Sequence, residues 1–212
     1  MKRTDDSAKS FRVMGFLLIT LFEVCLFVAS CSSDDVQIPS YYVDLVEADT
    51  NLDSLVTVIR KDNGTIFNVT QEIKASVPDT TFRCVCTYSV EDDQLTVYSL
   101  SHIFSSRPRK AEAYDSLITD PVKFISSWRS GGYLNMQIGV MTTDAEYHRF
   151  AFCEDSIADK TVFFTLLHQR PKKDNESYTK EMFLSIPIAS YTDCDSFAIS
   201  VQTYEGLRQV VR

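Results

Sequence analysis

Three groups of residues in this chain could do chemistry. The first is Cys31, which ends the run Leu26-Phe27-Val28-Ala29-Ser30-Cys31. Small residues at positions 29 and 30 suit a peptidase that cuts before the cysteine and leaves it as an acylated first residue. The second is the pair His148 and His168, whose imidazoles could supply two nitrogens to a metal. Asp144 or Glu146 would then be the third ligand. The third is aromatic. Trp128 stands just before Gly131-Gly132-Tyr133, where an indole, with Tyr133 beside it, could stack on a sugar ring.

Each group has a plainer alternative. Two histidines without a clear third ligand can cap the core at the end of a sheet, bonded to each other or to backbone. A tryptophan beside a glycine turn more often fills a sandwich core. His102 stands alone near a strand end and reads as structural or exposed. Asp92/Asp93 and Asp193/Asp195 are paired carboxylates, but both pairs flank turns or strand ends, where solvation explains them better than acid–base catalysis. The chain has no G-x-S-x-G, H-E-x-x-H or P-loop motif. No catalytic residue and no cofactor is expected.

Residues 1–30 have the three parts of a secretory signal. Lys2, Arg3, Lys9 and Arg12 form a basic start, Val13 to Phe22 is apolar, and Val28 to Cys31 is the cleavage site. Asp5, Asp6 and Glu23 depart from the pattern. An uncleaved anchor is the rival reading, but a spanning helix needs roughly 20 predominantly apolar residues. Ser rather than Asp follows Cys31, which argues against retention at an inner membrane. Ser32-Ser33-Asp34-Asp35 resembles a surface-export tract, with a solvated tether over 31–39 as the alternative. The expected location is the outer membrane, lipid-anchored through Cys31 and exposed at the cell surface, or else facing the periplasm.

Removing residues 1–30 takes four Lys/Arg from 21 and three Asp/Glu from 29. That leaves 17 and 26, a net charge of −9 on 182 residues. Such a surface repels phosphate backbones, and no basic stripe is visible, so nucleic acid is not an expected partner. Cys84, Cys86, Cys153 and Cys194 remain beside Cys31. An envelope location permits disulfides. Cys153–Cys194 is the more plausible pair if a disulfide forms, but four reduced, mostly buried thiols are the favoured reading.

These residues must be positioned by β-strands. The mature chain is rich in Tyr, Phe, Val, Ile and Thr in short alternating runs between polar turns. Residues 40–104 hold five such runs: Tyr41–Ala48, Ser54–Arg60, Thr65–Thr70, Thr81–Ser89 and Gln94–Phe104. Lys61-Asp62-Asn63-Gly64 supplies a tight hairpin turn. Five short strands in this length predict an OB-like small barrel. Residues 105–120 break the pattern and read as a linker, with a short helix around Ala111–Leu117. Residues 121–212 predict about seven antiparallel strands in an immunoglobulin-like β-sandwich. In Tyr133–Thr142, Leu134, Met136, Ile138 and Val140 should face its core. A hairpin closed by Ser156–Lys160 would set Phe152 opposite Phe164, Phe150 opposite Leu166 and His148 opposite His168.

The chain resembles the NigD-like lipoproteins of the Bacteroides group over essentially its whole length. The likeness lies in the cleavage site, in Lys61-Asp62-Asn63-Gly64, and in Thr80-Thr81-Phe82-Arg83 with Tyr88. It continues in Asp120-Pro121 and then Ser127-Trp128-Arg129-Ser130-Gly131-Gly132-Tyr133-Leu134-Asn135-Met136, the most specific stretch. His148, Leu167-His168, Tyr178-Thr179, Ser185-Ile186-Pro187-Ile188 and Thr203-Tyr204-Glu205-Gly206 complete it. The resemblance implies an OB-like domain followed by a β-sandwich, and no established enzymatic activity. It also implies a second histidine often followed by Asp, where this chain has Gln169, which lowers the metal reading. Association with bacteriocin clusters makes immunity a standing suggestion. The expected function is that of a lipid-anchored, non-enzymatic envelope lipoprotein that binds a protein or glycan partner. A bacteriocin immunity protein is one alternative, and a metal-dependent accessory enzyme a second.

Overall fold

The computed structural model describes residues 40–143, 148–171 and 178–212. The described chain is all β apart from one 3-10 turn at Ala111–Ala113. That turn takes the place of the short helix expected around Ala111–Leu117.

The first five strands are β1 (Tyr42–Thr50), β2 (Val56–Lys61), β3 (Ile66–Asn68), β4 (Thr81–Glu91) and β5 (Gln94–His102). They form one antiparallel sheet in the order β3-β2-β1-β4-β5, curled into a half-barrel. Alternation gives this sheet two faces. Val46, Ala48, Ile59, Cys84, Cys86 and Tyr88 are buried on one and form a small core. Glu47, Arg60 and Arg83 project from the other. The strand between β3 and β5 that would close a barrel is replaced by one side chain. The Gln71 amide accepts from the Val97 N–H at 2.6 Å and donates to the Val97 carbonyl at 3.4 Å. Beside that contact the β4–β5 ladder slips. Tyr88 pairs Val97 but Thr87 pairs Ser99, so Tyr98 is the extra residue of a bulge.

Residues 105–120 are not a free linker. The half-barrel ends at His102, and β6 (Phe104–Ser105) already belongs to the next sheet. Only buried Ile103 lies between, and its N–H donates to the Arg83 carbonyl. Then β7 (Arg109–Lys110) pairs with Cys153 and Glu154 of the second half. Two-residue strands are too short to show alternation, which is why the stretch reads as irregular.

The second half is a sandwich of two sheets. One sheet runs β6-β12-β9-β8, with β8 (Lys123–Ser130), β9 (Tyr133–Thr142) and β12 (Tyr178–Pro187). The other runs β14-β13-β11-β10-β7, with β10 (Arg149–Ala158), β11 (Thr161–Gln169), β13 (Ser196–Thr203) and β14 (Gly206–Val211). Leu134, Met136, Ile138 and Val140 face inward with no exposure, as their alternation predicts. They meet Phe152, Phe164, Leu166, Phe197 and Ile199 of the opposite sheet. The strands are not all antiparallel: β11 pairs β13 in parallel, and so do β6 with β12 and β7 with β10. Run composition fixes a strand's faces but not the direction of its neighbour.

Two glycines carry the turns that bring the halves together. Gly64 has φ +89° with open space where a Cβ would stand. Gly131 has φ +55°, and a Cβ there would lie 2.7 Å from the Asp62 carbonyl oxygen. Gly64→Ala should therefore cost about 1 kcal/mol, the left-handed backbone penalty alone. Gly131→Ala should cost about 2–5 kcal/mol, since it adds a steric clash across the two halves. Urea unfolding of both variants checks the contrast.

Candidate functional site

The strongest polar cluster lies where the two halves touch. Arg83 leaves β4 on the face away from the small core, only 3% exposed. Its guanidinium donates twice to Asp62, at 2.5 and 2.7 Å, and once to the Asn135 carbonyl oxygen at 3.4 Å. Its plane lies over the Tyr133 ring, 4.0 Å from the centroid. The Tyr133 hydroxyl donates to Glu47, which also accepts from Arg60 at 2.8 Å. Ser185 on β12 donates to Asn135 at 2.6 Å. Asp62, Arg83, Glu47 and Arg60 belong to the half-barrel; Tyr133, Asn135 and Ser185 belong to the sandwich. Burial, then the bond to Glu47, pushes the Tyr133 phenol well above its usual range, so it stays a donor.

Above this clamp lies a groove of about 730 Å3, within the size of small-ligand sites. Its walls are the segment 73–77, the start of β4, the second half of β5, and residues 105–107, with Tyr133 and Pro187 at the sandwich end. Three cations line it, Lys74, Arg83 and Arg107, and no carboxylate does. In a chain with 29 acidic residues that is a selective composition. Arg83 is spent on Asp62. Lys74 and Arg107 are exposed and have no carboxylate partner among the described residues. The hydroxyl residues Ser76, Ser99, Ser105 and Ser106 line the groove too, while the Thr81 hydroxyl is given to Asp49. Phe82 and His102 stack at 5.6 Å within it, and Tyr98, 49% exposed, stands at its side.

The histidine pair is real, but its register differs from expectation. Phe150 pairs His168, Phe152 pairs Leu166, and His148 precedes β10. The turn is only Asp159–Lys160, both with positive φ, and a bulge lies between Glu154 and Ser156. Together these shift the pairing by two residues, an even step that keeps the same apolar face inward. The rings still meet, with His148 Nδ1 2.8 Å from His168 Nε2. His168 Nδ1 lies 2.9 Å from the Asp120 carbonyl, which can only accept. His168 therefore donates there, and its Nε2 accepts from His148. Both nitrogens of His168 are engaged, so it offers no lone pair to a metal. Burial pushes its pKa down to about 4. Among the described residues no three His, Cys, Asp or Glu are grouped to hold an ion. Asp144 and Glu146 lie outside the described residues, as does Cys31.

The other candidates scatter. Trp128 is half-buried outside the sandwich core, edge-on to Phe183, and lines a smaller cavity of about 370 Å3 with Lys61, Asp62 and Asn63. Tyr133 borders the large groove, with its hydroxyl committed to Glu47. Cys153 and Cys194, the possible disulfide pair, are both free. Cys194 packs on the inner core that Phe152 faces, while Cys153, next along the strand, points the opposite way. Burial pushes the thiols of Cys84, Cys86 and Cys153 up to about 12, 11 and 11, so they stay protonated at neutral pH. Asp92 and Asp93 form the β4–β5 turn with positive φ, and Asp195 pairs with Lys160 at the surface. His102 is exposed and lines the groove. Reading the sequence missed Lys74, Tyr98 and Arg107, which carry no motif. It noted Arg83 only as part of a family-like stretch.

The family described as the NigD-like C-terminal beta sandwich domain matches residues 105–211. No curated protein matches the chain. Among solved structures, a NigD-like immunity protein from Bacteroides caccae superposes with a TM-score of 0.63 at 24% identity, over 82% of this chain and 92% of that one. A protein of unknown function from Bacteroides vulgatus gives 0.62 at 12%, over 81% and 90%. A candidate lipoprotein from Bacteroides fragilis gives 0.57 at 14%, over 82% and 96%. These likenesses establish the shared fold.

Breaking the clamp on one side should orphan a buried charge. Arg83→Met and Asp62→Leu should each lower the unfolding free energy by about 3–5 kcal/mol. The double variant should lose less than the sum, because no charge is left behind; urea unfolding of the four proteins completes the cycle. His168 sets a pH dependence. Unfolded, it takes up a proton near pH 6.5; folded, only near 4. Between those values the unfolded state holds more protons, so stability should fall as pH falls, by roughly 3 kcal/mol over the window. His168→Asn should flatten that slope in unfolding midpoints measured across it.

Proposed function

The chain belongs to the NigD-like family, and on that basis we propose that it is a lipid-anchored, non-enzymatic envelope lipoprotein that holds a partner at the groove between its two β halves. The observation that carries this reading is the groove itself. It is sizeable, lined by residues of both halves, and bears two cations that no carboxylate among the described residues neutralises. The clamp beneath it is built from buried and half-buried groups bonded to one another, which suits a preformed surface. The sequence of residues 1–31 supports acylation of Cys31, with the outer membrane as location and the cell surface as the exposed side. Tyr41 packs on Tyr98 with centroids 4.9 Å apart, so the chain enters the described fold beside the groove.

A second reading is immunity. The Bacteroides caccae relative is described as a NigD-like immunity protein. In that case the occupant of the groove would be a bacteriocin, and deleting the gene would sensitise cells to it.

Two measurements test the proposal. Fractionation should place the wild-type chain in the membrane pellet, and Cys31→Ala should move most of it to the soluble fraction. Crosslinking of the tagged protein in native envelopes should then recover a partner that Cys31→Ala loses. Unchanged membrane retention of Cys31→Ala would overturn the lipid anchor.

A further inference from the structure

Of the groups that the clamp and the core leave unexplained, Lys74, Arg107 and Tyr98 share one place. All three line the same groove, and all three are exposed. Groove cations with no carboxylate partner among the described residues, in a chain of net charge −8, create a local field opposite to that of the rest of the surface. Such a site concentrates anions.

The class of anion follows from the walls. An acidic peptide would add itself as a strand to β5, the exposed edge of the half-barrel. That edge is closed to it. Gln71 already holds the N–H and carbonyl of Val97, and the bulge at Tyr98 breaks the ladder one residue later. What the groove does offer is a half-exposed aromatic face and a row of small hydroxyls, the groups that meet the C–H face and the hydroxyls of a sugar ring.

We propose that this groove binds an acidic saccharide, its anionic groups paired with Lys74 and Arg107 and a ring laid on Tyr98. The inference rests on the groove being the binding site of the preceding section and names the class of ligand it takes. Arg83 does not reach for the ligand, since Asp62 holds it; it positions the wall on which Tyr133 stands.

The test is direct binding by the full-length protein in detergent. The probes are oligogalacturonate, heparin-derived and phosphomannan tetrasaccharides, with maltotetraose and inorganic phosphate beside them. Binding of an acidic tetrasaccharide is expected, stronger than either maltotetraose or phosphate and weakened by added salt. Lys74→Ala/Arg107→Ala should weaken it about tenfold or more, and Tyr98→Ala should weaken it as well. Lys110→Ala, an exposed change outside the groove, should leave it unaltered. Acidic binding that survives the double variant would overturn the site. Equal binding of maltotetraose, lost in Tyr98→Ala, would overturn the anionic assignment while leaving the groove a binding site. Failure of every saccharide would overturn the inference, and a protein partner recovered by crosslinking would then stand without it.

Discussion

One buried guanidinium draws its partners from both halves of this molecule. Burying a charge costs several kcal/mol unless its donors are met. Arg83 offsets much of that cost with a two-point bond to Asp62, a third contact to Asn135 and the face of Tyr133, its buried Nε alone lacking a partner. These partners come from both domains, so the charge is satisfied only in one relative placement. Asn135 is held in turn by Ser185, and Gly131 leaves room for the Asp62 backbone. A hydrophobic contact would tolerate sliding. A planar fork seated on a carboxylate does not. The width of the groove, whose walls come from both halves, is set by that seating.

The family resemblance acquires a physical meaning here. Lys61-Asp62-Asn63-Gly64, Thr80-Thr81-Phe82-Arg83 and the stretch from Ser127 to Met136 are distant in sequence, yet they converge on the clamp. Asp62 closes on Arg83 across 21 residues and Asn135 reaches it across 52. Motifs that look like landmarks are the parts of one interface. Trp128 belongs to the same region, lining the smaller cavity beside the Asp62 turn.

Much of the fold was legible because strand alternation is a local signal. Leu134, Met136, Ile138 and Val140 declared their face, and Asn63-Gly64 declared its turn. The β10–β11 hairpin and its histidine pair were legible too, but register and the direction of neighbouring strands were not. The β10–β11 register turned on a bulge and a two-residue turn that composition does not mark. The parallel neighbours of β12, β10 and β11 are fixed by packing alone. Residues 104–110, at the edge of the expected linker, hold two strands too short to show a period. Arg83 sat in an alternating run where a charge reads as solvent-facing, and only the second domain buries it. Lys74 and Arg107 lay in segments read as a loop and a linker; the single-residue crossover at Ile103 brings them to one groove.

The bond from Gln71 to the β5 edge has a consequence beyond ligand choice. Held on a membrane as proposed, the protein would be confined to two dimensions and would meet its own copies far more often than in bulk solution. An open strand edge in that setting is a template on which copies can stack into fibrils. A single amide occupies the N–H and carbonyl of Val97, and the bulge at Tyr98 shifts the rest of the strand out of line. The half-barrel thus stays open enough to keep its groove without leaving a continuous edge for its neighbours to extend.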